Sequence, residues 1–179
     1  MSLAEIEFKD IVIIISGAIT AISTLSAVII SNRHNLKITR INIEDQNKQK
    51  ENEHRLSKIE ELYLLFEKWE VNFSNIYLAH LGCYRQQLEY RQVLELVKTS
   101  SILLPGEAQK LQMLMHIHFP KLAHDYQLVD KARSQIAPFL SDPRESKLST
   151  NDFIEKQKSF EKICADFKTK ISLLAKPNN

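Results

Sequence analysis

The chain is poor in the residues that punctuate and staple a fold. Its 179 residues contain three glycines, at positions 17, 82 and 106, five prolines and two cysteines. Three isolated glycines cannot build a phosphate-cradling loop, which needs several within one turn. Cys83 and Cys164 make no disulfide framework; both sit where the pattern reads as an apolar helix face, and they fit a reducing compartment. Charge of either sign is not in excess: 24 Lys and Arg stand against 22 Asp and Glu, a net of +2. A dedicated nucleic-acid binder would carry a basic excess or stripe, so no specific nucleic acid is expected. No stretch of useful length alternates apolar and polar residues, which leaves no strand, and there is no internal repeat. What is plentiful (Leu, Glu, Lys and Gln) is the stuff of helices.

The most telling absence is local. Between Asp10 and Arg33, in "DIVIIISGAITAISTLSAVIISNR", no side chain carries charge. Residues 11–32 make about 22 residues, roughly 33 Å as an α-helix, against a hydrocarbon core of about 30 Å. Ser and Thr are tolerated there because their hydroxyls bond back to their own helix. A soluble core helix of this length would keep a polar face. A secretory signal would open with basic residues and have a shorter apolar stretch, whereas here Glu5, Glu7 and Asp10 surround a single Lys9. The run therefore reads as a transmembrane helix in a lipid bilayer. Past it come Arg33, Lys37 and Arg40 with no acid among them, and basic flanks stay on the cytoplasmic side. The expected topology has residues 1–10 as a short extracytoplasmic tail, 11–32 as the span, and everything from 33 onward in the cytoplasm at the inner membrane.

The span is two-faced. At about 100° per residue, Gly17, Thr20, Ala21, Thr24, Ala27 and Ser31 share one face roughly 120° wide. Ile11, Ile15, Ile19, Ile22 and Ile29 lie opposite. Gly17-x-x-x-Ala21 is a small-xxx-small spacing that lets two helix backbones approach, so a homo-oligomer packed through this face is expected.

Residues 33–55 form a basic, then polar, connector. "EDQNKQKENEHR", Glu44 to Arg55, has no apolar residue but no Gly or Pro either; it is either a helix or a tether. From Leu56 an amphipathic pattern begins. Leu56, Ile59, Leu62, Tyr63, Phe66, Trp69, Phe73, Ile76 and Tyr77 recur at threes and fours. Gly82 either interrupts this helix or is carried through to Lys98. A turn is expected at Thr99 to Gly106, a helix starting near Pro105, and a kink or restart at Pro120. Pro138 and Pro143 bracket a polar loop. A last helix starts at Ser149 or Thr150, with Phe153, Gln157, Phe160, Cys164, Phe167, Ile171 and Leu174 on coiled-coil-like 4-3 spacing. The fold class is all-α: one transmembrane helix, a connector, and residues 56–179 as a three- or four-helix cytoplasmic bundle.

Chemistry-bearing motifs are sparse. "MHIHFPKLAHD" gathers His116, His118, His124 and Asp125, which are candidate zinc or iron ligands. Yet His116 and His118 point about 200° apart on a helix, and the Glu-x-x-His pairs of bundle metal sites are absent. No Gly-x-Ser-x-Gly elbow occurs. His80 and Cys83 are a thiol–imidazole pair at i and i+3 without an orienting third group. Trp69, Tyr63 and Tyr77 fit a core better than a ligand cage. No cofactor, metal or catalytic residue is assigned.

The uncharged span, the basic and polar connector, and then "RLSKIEELYLLFEKW" (Arg55 to Trp69) resemble small bacterial membrane-anchored helical proteins of unknown function, some of them carried on mobile elements or phage-defence loci. The resemblance implies an architecture and no functional residue. Three functions fit the sequence. The first is a non-enzymatic interaction module that docks an unidentified cytoplasmic protein or a second copy at the inner membrane. The second is a membrane effector of a phage-defence or toxin system, acting by oligomerisation of the span. The third is a metal-dependent enzyme using the histidines.

Overall fold

The computed structural model describes residues 8–176. Most of the expected outer tail, residues 1–7, lies outside the described residues. The protein is all-helical, 87% helix, with no strand among the described residues. Among the described residues six α-helices follow in order: α1 (Phe8–Tyr84), α2 (Tyr90–Thr99), α3 (Glu107–His118), α4 (Pro120–Ile136), α5 (Pro143–Ser146) and α6 (Thr150–Leu173), with a 3-10 turn at Ala137–Leu140 before α5. From Ala18 to Leu81 there is neither glycine nor proline, so nothing forces a break. Residues 44–55 are accordingly helical, and span, connector and amphipathic stretch all fall within α1. The chain divides into two compact units, Met1–Glu53 and His54–Asn179.

The second unit holds the core. Aromatic contacts show how its helices run. Phe66 meets Phe167 at 4.7 Å, Tyr77 meets Phe160 at 5.3 Å and Tyr84 meets Phe153 at 5.3 Å between ring centroids. Rising numbers on α1 pair with falling numbers on α6, so the two are antiparallel. Phe66 also meets Tyr126, and the Arg133 guanidinium lies 5.4 Å from the centre of the Phe73 ring, so α4 runs parallel to α1. Phe66, Phe153, Phe160, Leu62, Val129 and Ile136 have no solvent exposure. Each such side chain contributes about 1.5–3 kcal/mol on removal from water. All of the α6 seam from Phe153 to Ile171 is buried; Leu174 is half-buried just past the helix end. Gln157 is the one polar member of the seam, and its Nε2 donates to Glu161 Oε1 at 3.1 Å.

Five local expectations resolve or change. The chain breaks after Gly82, not at it: α1 continues to Tyr84, and Gln86 takes the left-handed turn at φ 59°. Gly82 serves a close approach, since a Cβ there would lie 3.1 Å from Leu88 Cδ1. Its carbonyl accepts from Gln87 N and Leu88 N, which closes the turn. Pro105 stands in a turn before α3, not at its first position. Gly106 at φ 89° caps that helix, and the Glu107 carboxylate accepts from Leu104 N at 2.8 Å. Pro120 restarts the chain as α4. The loop between Pro138 and Pro143 is not purely polar, because Phe139 is buried and stacks on Phe153 at 5.1 Å. Leu56, the first residue of the expected apolar stripe, is exposed.

Ion pairs fix the edges. On α1, Glu61 holds both Lys58, at 2.9 Å, and Lys110 of α3, while Lys68 reaches Glu107 at 2.6 Å. Lys168 of α6 pairs with Glu70 at 2.6 Å. Hydrogen bonds from Lys110 and Lys58 hold the Glu61 carboxyl down at about 2. Its folded value is thus below the unfolded one of about 4.3. The stability it supplies is present above that unfolded value and is lost as pH falls toward 2. The denaturant midpoint of residues 56–179, expressed alone, should therefore drop between pH 5 and pH 2. Glu61→Gln should flatten that drop, by on the order of 1 kcal/mol at a partly exposed pair. Equal pH slopes for the two proteins would exclude this role.

Candidate membrane segment and candidate binding sites

One helix is long and apolar enough to cross a membrane, and none of its most apolar window is buried within the protein. Every residue from 11 to 32 is exposed. Ile14 and Ile30 show 67% and 68% of their surface. The segment is therefore not a core helix.

Three of its hydroxyl side chains are turned inward on their own backbone. Ser16 Oγ donates to Ile13 O at 2.9 Å, Thr20 Oγ1 to Ser16 O at 2.9 Å, and Thr24 Oγ1 to Thr20 O at 2.8 Å. Each hydroxyl is satisfied without water, which is the condition for placing it in hydrocarbon. Around Gly17 nothing lies within 4 Å of where a Cβ would be. The face of Gly17, Thr20, Ala21, Thr24, Ala27 and Ser31 is thus open. Arg33, Lys37 and Arg40 are exposed on the same helix, and no ion pair involves them among the described residues.

The histidine cluster does not assemble. His116, His118 and His124 are exposed, and Asp125 is taken by Lys170 at 2.5 Å. No three of His, Cys, Asp and Glu converge as a metal set among the described residues. Trp69 and Tyr77 are buried in the aromatic core, with Tyr63 half-buried at its edge.

His80 and Cys83 flank the turn after α1. Burial pushes the His80 imidazole below its usual range, and its Nδ1 has no hydrogen-bond partner. Burial also raises the Cys83 thiol, with Asp142 adding to the rise and Arg144 opposing it. Both groups are neutral at pH 7, the reverse of an activated thiolate–imidazolium pair. Cys83 lines a cleft of about 570 Å³ with Tyr84, Leu88, Gln92, Asp142 and Arg144. The wall from Asp142 and Arg144 had no signal in the sequence, because only the fold back of α5 brings it beside the end of α1. Tyr84 Oη and Ser146 Oγ, 3.0 Å apart, mark that approach.

Thiol accessibility checks this placement. Cys164 is fully buried and its thiol is pushed up to about 12, by burial first and by Glu70 second. A maleimide at pH 7 should modify Cys83 slowly in the native protein and Cys164 only after unfolding. Equal labelling of both in the native state would contradict the seam.

No protein-family model, no curated protein and no solved structure matches the chain.

Proposed function

We propose that the protein is a membrane-anchored, non-enzymatic interaction module. Residues 11–32 cross the bacterial inner membrane once, and residues 33–179 lie in the cytoplasm. The helices of the second unit form a bundle that docks a cytoplasmic partner or a second copy. The observation that carries this reading is the uncharged helix of residues 11–32, exposed along its whole length. In water its eleven exposed Ile, Val and Leu side chains would each cost about 1.5–3 kcal/mol; hydrocarbon removes that cost. The inward hydroxyls suit the same environment, and Arg33, Lys37 and Arg40 set the orientation. Two unpaired cysteines fit a reducing cytoplasm. An export-dependent reporter such as alkaline phosphatase, fused after Asn179, should stay inactive, and a fusion active only in the cytoplasm should work there. The opposite pair of results would invert the topology.

A second reading, a membrane effector that oligomerises through its span, draws on the open face at Gly17. Backbones can approach where Gly17 and Ala21 leave space, and the bound-back hydroxyls of Thr20 and Thr24 present no unmet donor. Gly17→Leu with Ala21→Leu fills that groove and keeps the helix apolar. For an effector, the double variant should lose both crosslinked oligomers and dye entry into expressing cells. Monomer in native membranes for both chains would remove the effector reading.

A further inference from the structure

The second unit also leaves an apolar face uncovered. On α1, Leu64, Val71 and Leu78 are exposed at 64%, 43% and 56%, and they stand seven residues apart. They point away from the buried Leu62, Phe66, Trp69 and Tyr77. Next to them on α1 are Glu61 and Lys68, whose pairs with Lys110 and Glu107 lay α3 antiparallel alongside. Asn72 Oδ1 accepts from Ile102 N at 3.1 Å and brings the segment before α3 to the same edge. On α3, Met113 and Ile117 lie on the Lys110 side and are also exposed, Ile117 at 66%. In that antiparallel register Met113 and Ile117 lie past Lys110, toward the level of Glu60 and Leu56, so the exposed apolar side chains run in one line along the α1–α3 edge. A monomer seldom exposes such a patch without a partner.

The period of the line and the charges around it describe the occupant. Apolar residues every seven positions, about 10.5 Å apart along the helix, form a seam that another helix fills. Lys68 is paired with Glu107, and Lys110 shares Glu61 with Lys58, so these pairs leave one positive charge, which the two carboxylates beside them outweigh. Beside the seam Glu60 is exposed and Glu67 half-buried, and neither forms an ion pair among the described residues. The free charge at the face is negative. An anionic membrane surface is repelled by it. A parallel second copy would set Glu60 and Glu67 against their own counterparts. We infer that this face of α1 and α3 docks an amphipathic helix of a partner protein, with apolar residues at helical spacing and Lys or Arg on its flanks.

This inference rests on the interaction-module reading and supplies the partner's chemistry. The test uses the full-length chain in cells, with photoreactive benzoylphenylalanine in place of Val71 or Ile117, and in place of exposed Lys158 on α6 as control. Irradiation should give one shared protein adduct from the first two sites and none from the third. The crosslinked peptide, sequenced by mass spectrometry, should be an amphipathic segment flanked by Lys or Arg. Glu60→Lys with Glu67→Lys should cut adduct yield at least fivefold while helicity and melting stay unchanged. The proposal is overturned by adducts to lipid or to a second copy, by a crosslinked segment without that pattern, by yield indifferent to the charge reversal, or by no adduct. Carbonate extraction of the same cells separates the two failures. A chain retained in the membrane pellet without the adduct refutes the docking face alone; a chain released to the supernatant refutes the anchor.

Discussion

The closure of α6 onto α1 is the contact on which the second unit depends. Phe66, Tyr77 and Tyr84 on one helix meet Phe167, Phe160 and Phe153 on the other, three antiparallel pairs along some 18 residues. Edge-to-face and tilted aromatic pairs of this kind add roughly 0.5–1.5 kcal/mol each beyond the area they bury. Trp69 and Tyr126 join them, so that α4 packs against a surface α1 and α6 have already made. The 3-10 turn takes its place through Phe139 on Phe153, and α5 takes its place through Ser146 against Tyr84. The short elements are positioned by this ladder and have little core of their own.

Electrostatics sharpen an arrangement that apolar burial makes. Lys58, Glu61, Lys110, Lys68 and Glu107 form a chain of contacts along the α1–α3 edge. Such solvent-screened pairs are individually weak, too weak to hold a helix alone. They do select how α3 lies against α1. They occupy the lysines of that edge, while Glu60 and Glu67 beside the apolar face are in no ion pair among the described residues. The half-buried Lys168–Glu70 pair does the corresponding work between α6 and α1: burial lowers the lysine, and the carboxylate beside it overrides that and holds it above its usual range.

Among the described residues the first unit has no core of its own. Its apolar residues find no cover within the protein, and the hydroxyls of Ser16, Thr20 and Thr24 are spent on backbone carbonyls. The second unit satisfies the opposite demand, with its apolar stripes turned on one another and its charges outward. The lack of a glycine or proline between Ala18 and Leu81 lets one helix carry both regimes.

Much of this was legible in the sequence because it depends on local periodicity. The uncharged run from Ile11 to Asn32, the threes and fours from Ile59 to Tyr77, the Pro120 restart, the start of the last helix at Thr150 and the α6 seam are each properties of one helix with its own residues. An apolar residue on one face of a helix must be buried or bathed in lipid, whatever it meets. The open alternatives at Gly82 and at residues 44–55 were decided by contact and continuity. The turn fell after Gly82 because Leu88 needs the space over its α-carbon. What no single helix could reveal is which faces find partners. Leu64, Val71 and Leu78 have the same chemistry as their buried neighbours, and only the number of helices available leaves them bare. The cleft beside Cys83 exists only because α5 folds back across the end of α1. The histidines of "MHIHFPKLAHD", close in sequence, stay apart because His116 and His118 point in different directions on α3 and Pro120 starts a new helix before His124. Sequence determined which side chains must leave water; tertiary structure decided which of them the chain itself could cover, because that depends on distances between segments far apart along it.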